Sequence, residues 1–185
     1  MKELYHGSIY DFNEINLGKG KGYKDFGKGF YATAVARHAE NIARRNKYIF
    51  EKRQQVIRKN APNSKSEQII AYRYNLLYDQ DVAGLNIKVF EKADIEWVKF
   101  ILQNRKSPVS VHDYDIVIGP TADEQTVLIL NQYEEDLKNS NYDEKILRQL
   151  IAELKPENLP KQYFFGTDQA VKTLKFGKVR RQIVE

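Results

Sequence analysis

The chain has 185 residues, 42% of them hydrophobic and 30% charged, with 12 Tyr, 9 Phe and no Cys. That length suits one domain over 1–185 with a sizeable core, and the aromatic content excludes a disordered chain. The net charge of +5 is uneven: residues 1–92 carry 17 Lys/Arg against 10 Asp/Glu, whereas residues 93–185 carry 13 against 15.

No apolar run approaches the ~20 residues of a membrane helix, and the lack of Cys excludes disulfides and thiolate metal sites. A cytoplasmic protein without membrane contact is expected. The three histidines, His6, His38 and His112, are scattered too widely to suggest a metal centre.

Residues 2–7 are short, aromatic and closed by Gly7, which predicts a buried strand ending near His6. Residues 11–28 hold Gly18, Gly20, Gly22 and Gly27 and predict a long irregular loop. A second strand at 29–33 delivers Tyr31, and Thr33 is expected to cap the helix that follows. In that helix Val35, Ala39, Ile42, Ala43, Ile49, Phe50, Val56 and Ile57 recur at helical spacing and predict one core face. The opposite face is basic, with Arg44, Arg45, Lys47, Lys52, Arg53, Arg58, Lys59 and, beyond it, Lys65. Such a run is a solvated helix face by default, or a surface that steers phosphates.

Ala61-Pro62-Asn63-Ser64 breaks the pattern, and strands are predicted at 69–78 and 86–90. Asp94 can cap a helix to about Asn104, with Trp97 in the core. Residues 114–120 read as a strand closed by Gly119-Pro120, and residues 127–130 favour helix. Glu144 to Leu154 forms an amphipathic helix, ended by Pro156 and Pro160. Residues 161–166 read as a strand, Thr167-Asp168 as the start of a short helix, and 178–184 as a final basic strand.

Two motifs carry the chemistry. His6-Gly7 at a strand end sets an imidazole beside backbone that a planar ligand can approach closely. Asp25-Phe26-Gly27-Lys28-Gly29-Phe30-Tyr31 places an aromatic ring at the exit of a glycine-rich loop, where it can stack on a flat heteroaromatic ring. Taken singly, each reads more simply as a capped edge-strand His and a core Tyr.

Together they resemble the NAD-binding half of ADP-ribosyltransferases of the His-Tyr-Glu class, which includes poly(ADP-ribose) polymerases. The closer resemblance, over nearly the whole chain, is to a bacterial family, domain of unknown function 3990, placed in the ADP-ribosyltransferase superfamily. The stretches that carry it are Leu4 to Ser8, Asp25 to Thr33, Glu96-Trp97 with Asn104-Arg105, Tyr114 to Asp123, and Gln162 to Phe176.

This resemblance implies an α+β fold with a split pair of small β-sheets forming an NAD cleft, flanked by helices. It implies that His6 bonds a ribose hydroxyl, that Gly7 and Ser8 hold the nicotinamide amide, and that Tyr31 packs on the nicotinamide ring. Lys28 and its loop, with Phe26, Gly27 and Gly29 bordering the cofactor, would lie near the cofactor phosphates or the acceptor entry. The polymerases place a second aromatic wall where this chain has Ala39 and Ile42, so either Tyr23, Phe26 or Phe30 substitutes for it or the nicotinamide pocket is more open.

The third position falls at Gln162, where the superfamily usually carries Glu. An amide offers a hydrogen bond but no charge to a developing oxocarbenium ion, so Gln162 supplies less electrostatic stabilisation. Asp123 and Glu124 are candidates to bring a carboxylate toward the cleft.

The leading expectation is an NAD-dependent ADP-ribosyltransferase with a protein or nucleic-acid acceptor. The resemblance further implies a toxin or defence effector with an antitoxin protein as partner. The competing expectations are a non-catalytic NAD-sensing or nucleic-acid-binding module of the same fold, and a basic RNA-binding protein in which His6 and Tyr31 are structural.

Overall fold

A computed structural model describes residues 1–61, 67–122, 124–154 and 159–185. Pro62, Asn63, Ser64 and Lys65, the expected helix break and its flanking cation, lie outside the described residues, as do Asp123 and Pro156. The architecture is α+β, with seven strands and five α-helices among the described residues. Within it the chain forms two compact units: Met1–Ile15, Ala32–Val82 and Thr173–Glu185 make up the first, Asn16–Tyr31 and Ala83–Lys172 the second.

The first unit holds β1 (Lys2–Ser8), the second half of β2 (Phe30–Thr33), α1 (Ala36–Asn60), β3 (Ala71–Tyr78) and β7 (Leu174–Val184). β1 lies between β2 and β3, and β3 between β1 and β7, with every pairing antiparallel. The register sets His6 opposite Tyr74 and Ser8 opposite Tyr72. Leu4, Tyr74 and Leu76 are buried. α1 packs on β1 and β3 so closely that a Cβ on Gly7 would lie 2.0 Å from the Ala39 carbonyl oxygen. Glycine at position 7 is therefore the condition for this helix approach.

Two expectations for α1 are corrected. Its N-cap is Val35, without a side-chain bond, because the Thr33 hydroxyl accepts the Val35 N–H at 3.2 Å and stops short of the helix. Its core face is confined to Ala39 and Ala43, whereas Val35, Ile42, Val56 and Ile57 are all exposed. Burying a Val or Ile side chain is worth about 1.5–3 kcal/mol, stabilisation that the second half of α1 leaves unrealised.

The second unit holds β4 (Ile87–Val89), α2 (Ile95–Arg105), β5 (Ile116–Pro120), α3 (Glu124–Asn139), α4 (Glu144–Leu154), β6 (Lys161–Phe165) and α5 (Asp168–Val171). β4 runs parallel to β5 and β5 antiparallel to β6, with Gly119 opposite Gln162. Asp94 caps α2 by accepting the Trp97 N–H at 3.1 Å, and Thr167 caps α5 through the Ala170 N–H at 3.2 Å. Both follow from the short polar side chain at the first orphan turn. One apolar core gathers Trp97, Ile101, Leu130, Leu137, Leu147, Leu150 and Phe164. In the first unit the strands lie in the order β2-β1-β3-β7, and in the second in the order β4-β5-β6. No helix among the described residues is long and apolar enough to cross a membrane.

Candidate functional site

In the second unit the motif loop is closed by its own last side chain. The Tyr31 hydroxyl donates to the Gly27 carbonyl at 2.7 Å and accepts the Phe26 N–H at 3.1 Å. Its ring meets Phe164 edge-on, with centroids 5.3 Å apart. Burial, and then the nearby Asp25 charge, holds the phenol pKa well above its ordinary value, so Tyr31 stays neutral. Gly27 has φ +91°, and a Cβ there would also lie 2.4 Å from Ser110 Oγ, so backbone strain and lack of space both require glycine.

Two further residues fix this loop from outside. Ser110 Oγ accepts the Lys28 N–H at 3.0 Å and donates to the Lys28 carbonyl at 3.3 Å. His112 Nδ1 accepts the Tyr114 N–H, which leaves Nε2 protonated to donate to the Phe26 carbonyl at 2.9 Å. Burial lowers the His112 pKa, consistent with the neutral ring these bonds need. The Phe26 side chain is fully buried against Phe90 and Phe100, and its ring belongs to the core.

Gln162 lies in the same unit, nearly buried at 9% exposure. Its Nε2 donates to Asp25 Oδ2 at 2.8 Å and to the Pro120 carbonyl at 3.4 Å. Both partners accept, so the amide nitrogen must face them and the carbonyl oxygen points away. Asp25, 5% exposed, also accepts the Ala122 N–H at 3.0 Å and pairs through Oδ1 with Arg105. The Trp97 indole N–H binds the same Pro120 carbonyl at 3.0 Å. Asp25 is thus a buried carboxylate satisfied by a cation, a backbone amide and Gln162, the condition under which a buried charge is tolerated. Arg105 also lines a pocket of about 290 Å³, together with Tyr23, Lys106 and Glu134.

The first unit carries His6, Gly7 and Ser8. The His6 ring lies edge-on to Phe12 at 5.8 Å and tilted to Tyr74 at 6.4 Å, while Phe12 stacks on Tyr74 at 3.9 Å. The Tyr74 hydroxyl accepts the Phe12 N–H at 2.8 Å and donates to Asp11, with its pKa pushed up to about 12, chiefly by burial. Asp11 also pairs with Arg181 at 2.6 Å. Ser8 Oγ accepts the Tyr10 N–H at 3.0 Å, closing a local turn. Gly7 meets α1, as described above.

Gly27, Lys28, Gly29, Tyr31 and Gln162 thus lie in one unit, and His6, Gly7 and Ser8 in the other. Glu124 is the first residue of α3. Sequence reasoning passed over Asp25, Arg105, Ser110, His112 and the Phe12–Tyr74 stack. Asp25 and Arg105 stand inside the motif stretches, but nothing in their spacing shows that residues 80 positions apart form an ion pair.

A model of the family described as "Protein of unknown function (DUF3990)" matches residues 2–176. The chain belongs to this family. Neither the curated proteins nor the solved structures contain a match to it. The matched span of this DUF3990 member takes in His6, Asp25, Tyr31, Arg105 and Gln162.

Proposed function

We propose that this DUF3990 protein is an NAD-dependent ADP-ribosyltransferase. In the reaction the bond between ribose C1′ and the nicotinamide nitrogen breaks and its electron pair leaves with nicotinamide. An acceptor nucleophile then bonds to C1′ and gives up its proton. The acceptor is a protein or nucleic acid, the setting cytoplasmic, and the biological role that of a toxin or defence effector held by an antitoxin protein.

The observation that carries the reading is the Asp25–Gln162 pair. With Nε2 committed to Asp25 and Pro120, Gln162 Oε1 has no hydrogen-bond partner among the described residues and remains an acceptor for a ligand hydroxyl. That is the hydrogen bond a glutamate oxygen would make to the nicotinamide-ribose 2′-hydroxyl. The Asp25 carboxylate accepting from the N–H side polarises the amide and pushes electron density toward Oε1, which makes that oxygen a stronger acceptor than an isolated amide. A glutamate at 162 would instead set two carboxylates 2.8 Å apart in a nearly buried site. His6 then holds a ribose hydroxyl, Gly7 and Ser8 the nicotinamide amide, Tyr31 the ring, and Lys28 the phosphates.

The test is incubation with labelled NAD and cell extract, comparing wild type with His6→Ala, Tyr31→Ala and Gln162→Ala. Label transfer lost in the variants supports the reading, and label persisting unchanged in all three sinks it.

Two observations favour a second reading, a non-catalytic NAD-sensing module. The amide at Gln162 is uncharged, and the Tyr31 hydroxyl is already spent on its own loop. Calorimetry would then give NAD binding without nicotinamide release.

A further inference from the structure

The second half of α1 carries an exposed apolar stripe that the transferase reading does not use. Ile42, Ile49 and Val56 recur every seven residues, two helical turns less about 20°, and so form one nearly straight stripe along the helix. Ile42 is 38% and Val56 59% exposed, with Ile49 half-buried between them. Ile57, 18 residues after Ala39 and thus five turns along the same face, is 54% exposed where Ala39 is fully buried. The apolar face therefore runs on beyond its buried start.

Charge flanks the seam on both sides. Arg45, Lys52 and Lys59 stand three residues after the three stripe positions, and Arg53 four residues after Ile49. Arg44 to Asn60 hold seven cations against the single carboxylate of Glu51. Among the described residues Arg53 and Lys59 form no ion pair, while Lys52 lies over the Tyr48 ring at 5.4 Å.

We propose that this face of α1 docks an acidic amphipathic helix of a different protein. An apolar heptad stripe accepts a helix through interdigitating side chains, and the flanking charges choose its partner. A second copy of this chain is disfavoured, because pairing the seam with itself sets cation against cation. Nucleic acid is disfavoured because phosphates gain nothing from Ile49, Val56 and Ile57. From Ile42 to Asn60 the seam runs about 27 Å, which asks for a partner helix of about 20 residues.

The probe is a fluorescent helical peptide of about that length, with Leu at every seventh position and Glu three and four positions after each Leu. Controls are a scrambled peptide of the same composition and a short single-stranded RNA. Anisotropy on the full chain is expected to show binding that weakens by about tenfold in Val56→Asn and in Ile49→Asn. Lys52→Glu combined with Arg53→Glu should weaken it further. Val56→Asn replaces an exposed side chain, so its unfolding midpoint should match wild type and separate lost docking from lost folding. The proposal is overturned if the peptide does not bind, if the scrambled peptide binds as tightly, or if Val56→Asn binds like wild type. RNA binding tighter than the peptide, weakened by the charge reversals alone, overturns it in favour of a nucleic-acid surface.

Discussion

The two motif stretches are held in different ways. In the second unit, Phe26 to Tyr31 is fixed by polar satisfaction, with the Tyr31 hydroxyl, Ser110 and His112 taking up its backbone groups and Asp25 joining Arg105 to Gln162. In the first unit, His6 to Ser8 is fixed by strand register and by a helix pressed onto a glycine. Polar satisfaction fails when one partner is removed, whereas close packing fails when one atom is added. The two stretches should therefore respond to opposite kinds of substitution.

The largest expected effect is in the polar region. Asp25→Ala strands the Arg105 guanidinium, the Ala122 amide and the Gln162 amide together, and should cost about 3–5 kcal/mol in urea unfolding. Gln162→Glu should destabilise by on the order of 3 kcal/mol at neutral pH, with part of the loss recovered under acidic conditions where the new pair shares a proton. A variant as stable as wild type would contradict the Asp25 contact.

Addition should matter most in the packed region. Gly7→Ala must push α1 off β1 and should cost about 2–3 kcal/mol, read as a lower thermal midpoint. An unchanged midpoint would mean that the helix gives way without cost.

These contrasts bear on what the sequence could tell. Elements whose cause is local were legible: the Asp94 and Thr167 caps, the α4 face of Leu147, Leu150 and Leu154, and β6 all follow from neighbours a few residues away. The second half of α1 misled because its period is helical although Val56 and Ile57 are exposed, and periodicity does not report burial. Thr33 misled because its hydroxyl found the Val35 amide before the helix began. The Asp25 partners lie 80, 97 and 137 residues away, so no window contains them. The choice of Gln at 162 reads as a departure in sequence and as a complement to Asp25 in structure.

Smaller effects are expected at Tyr31 and His112. Tyr31→Phe removes one hydroxyl that serves two backbone groups and should cost about 1–3 kcal/mol while leaving the Phe164 contact intact. The smallest is the His112 pH dependence. Its folded pKa lies below the ordinary value of about 6.5, so as pH falls through that value the unfolded chain takes up the proton first and stability drops. Above it both states are neutral and the contribution is flat. His112→Gln should remove that slope between about pH 5 and 7, as followed by urea midpoints across the range.

The most direct test of the central claim is nicotinamide release from NAD by purified protein supplied with cell extract as the source of acceptor. Release by wild type is expected, with a fall of about a hundredfold in Gln162→Ala whose fold is confirmed by its unfolding curve. Release at the wild-type rate in Gln162→Ala, or no release by wild type at all, would contradict that claim.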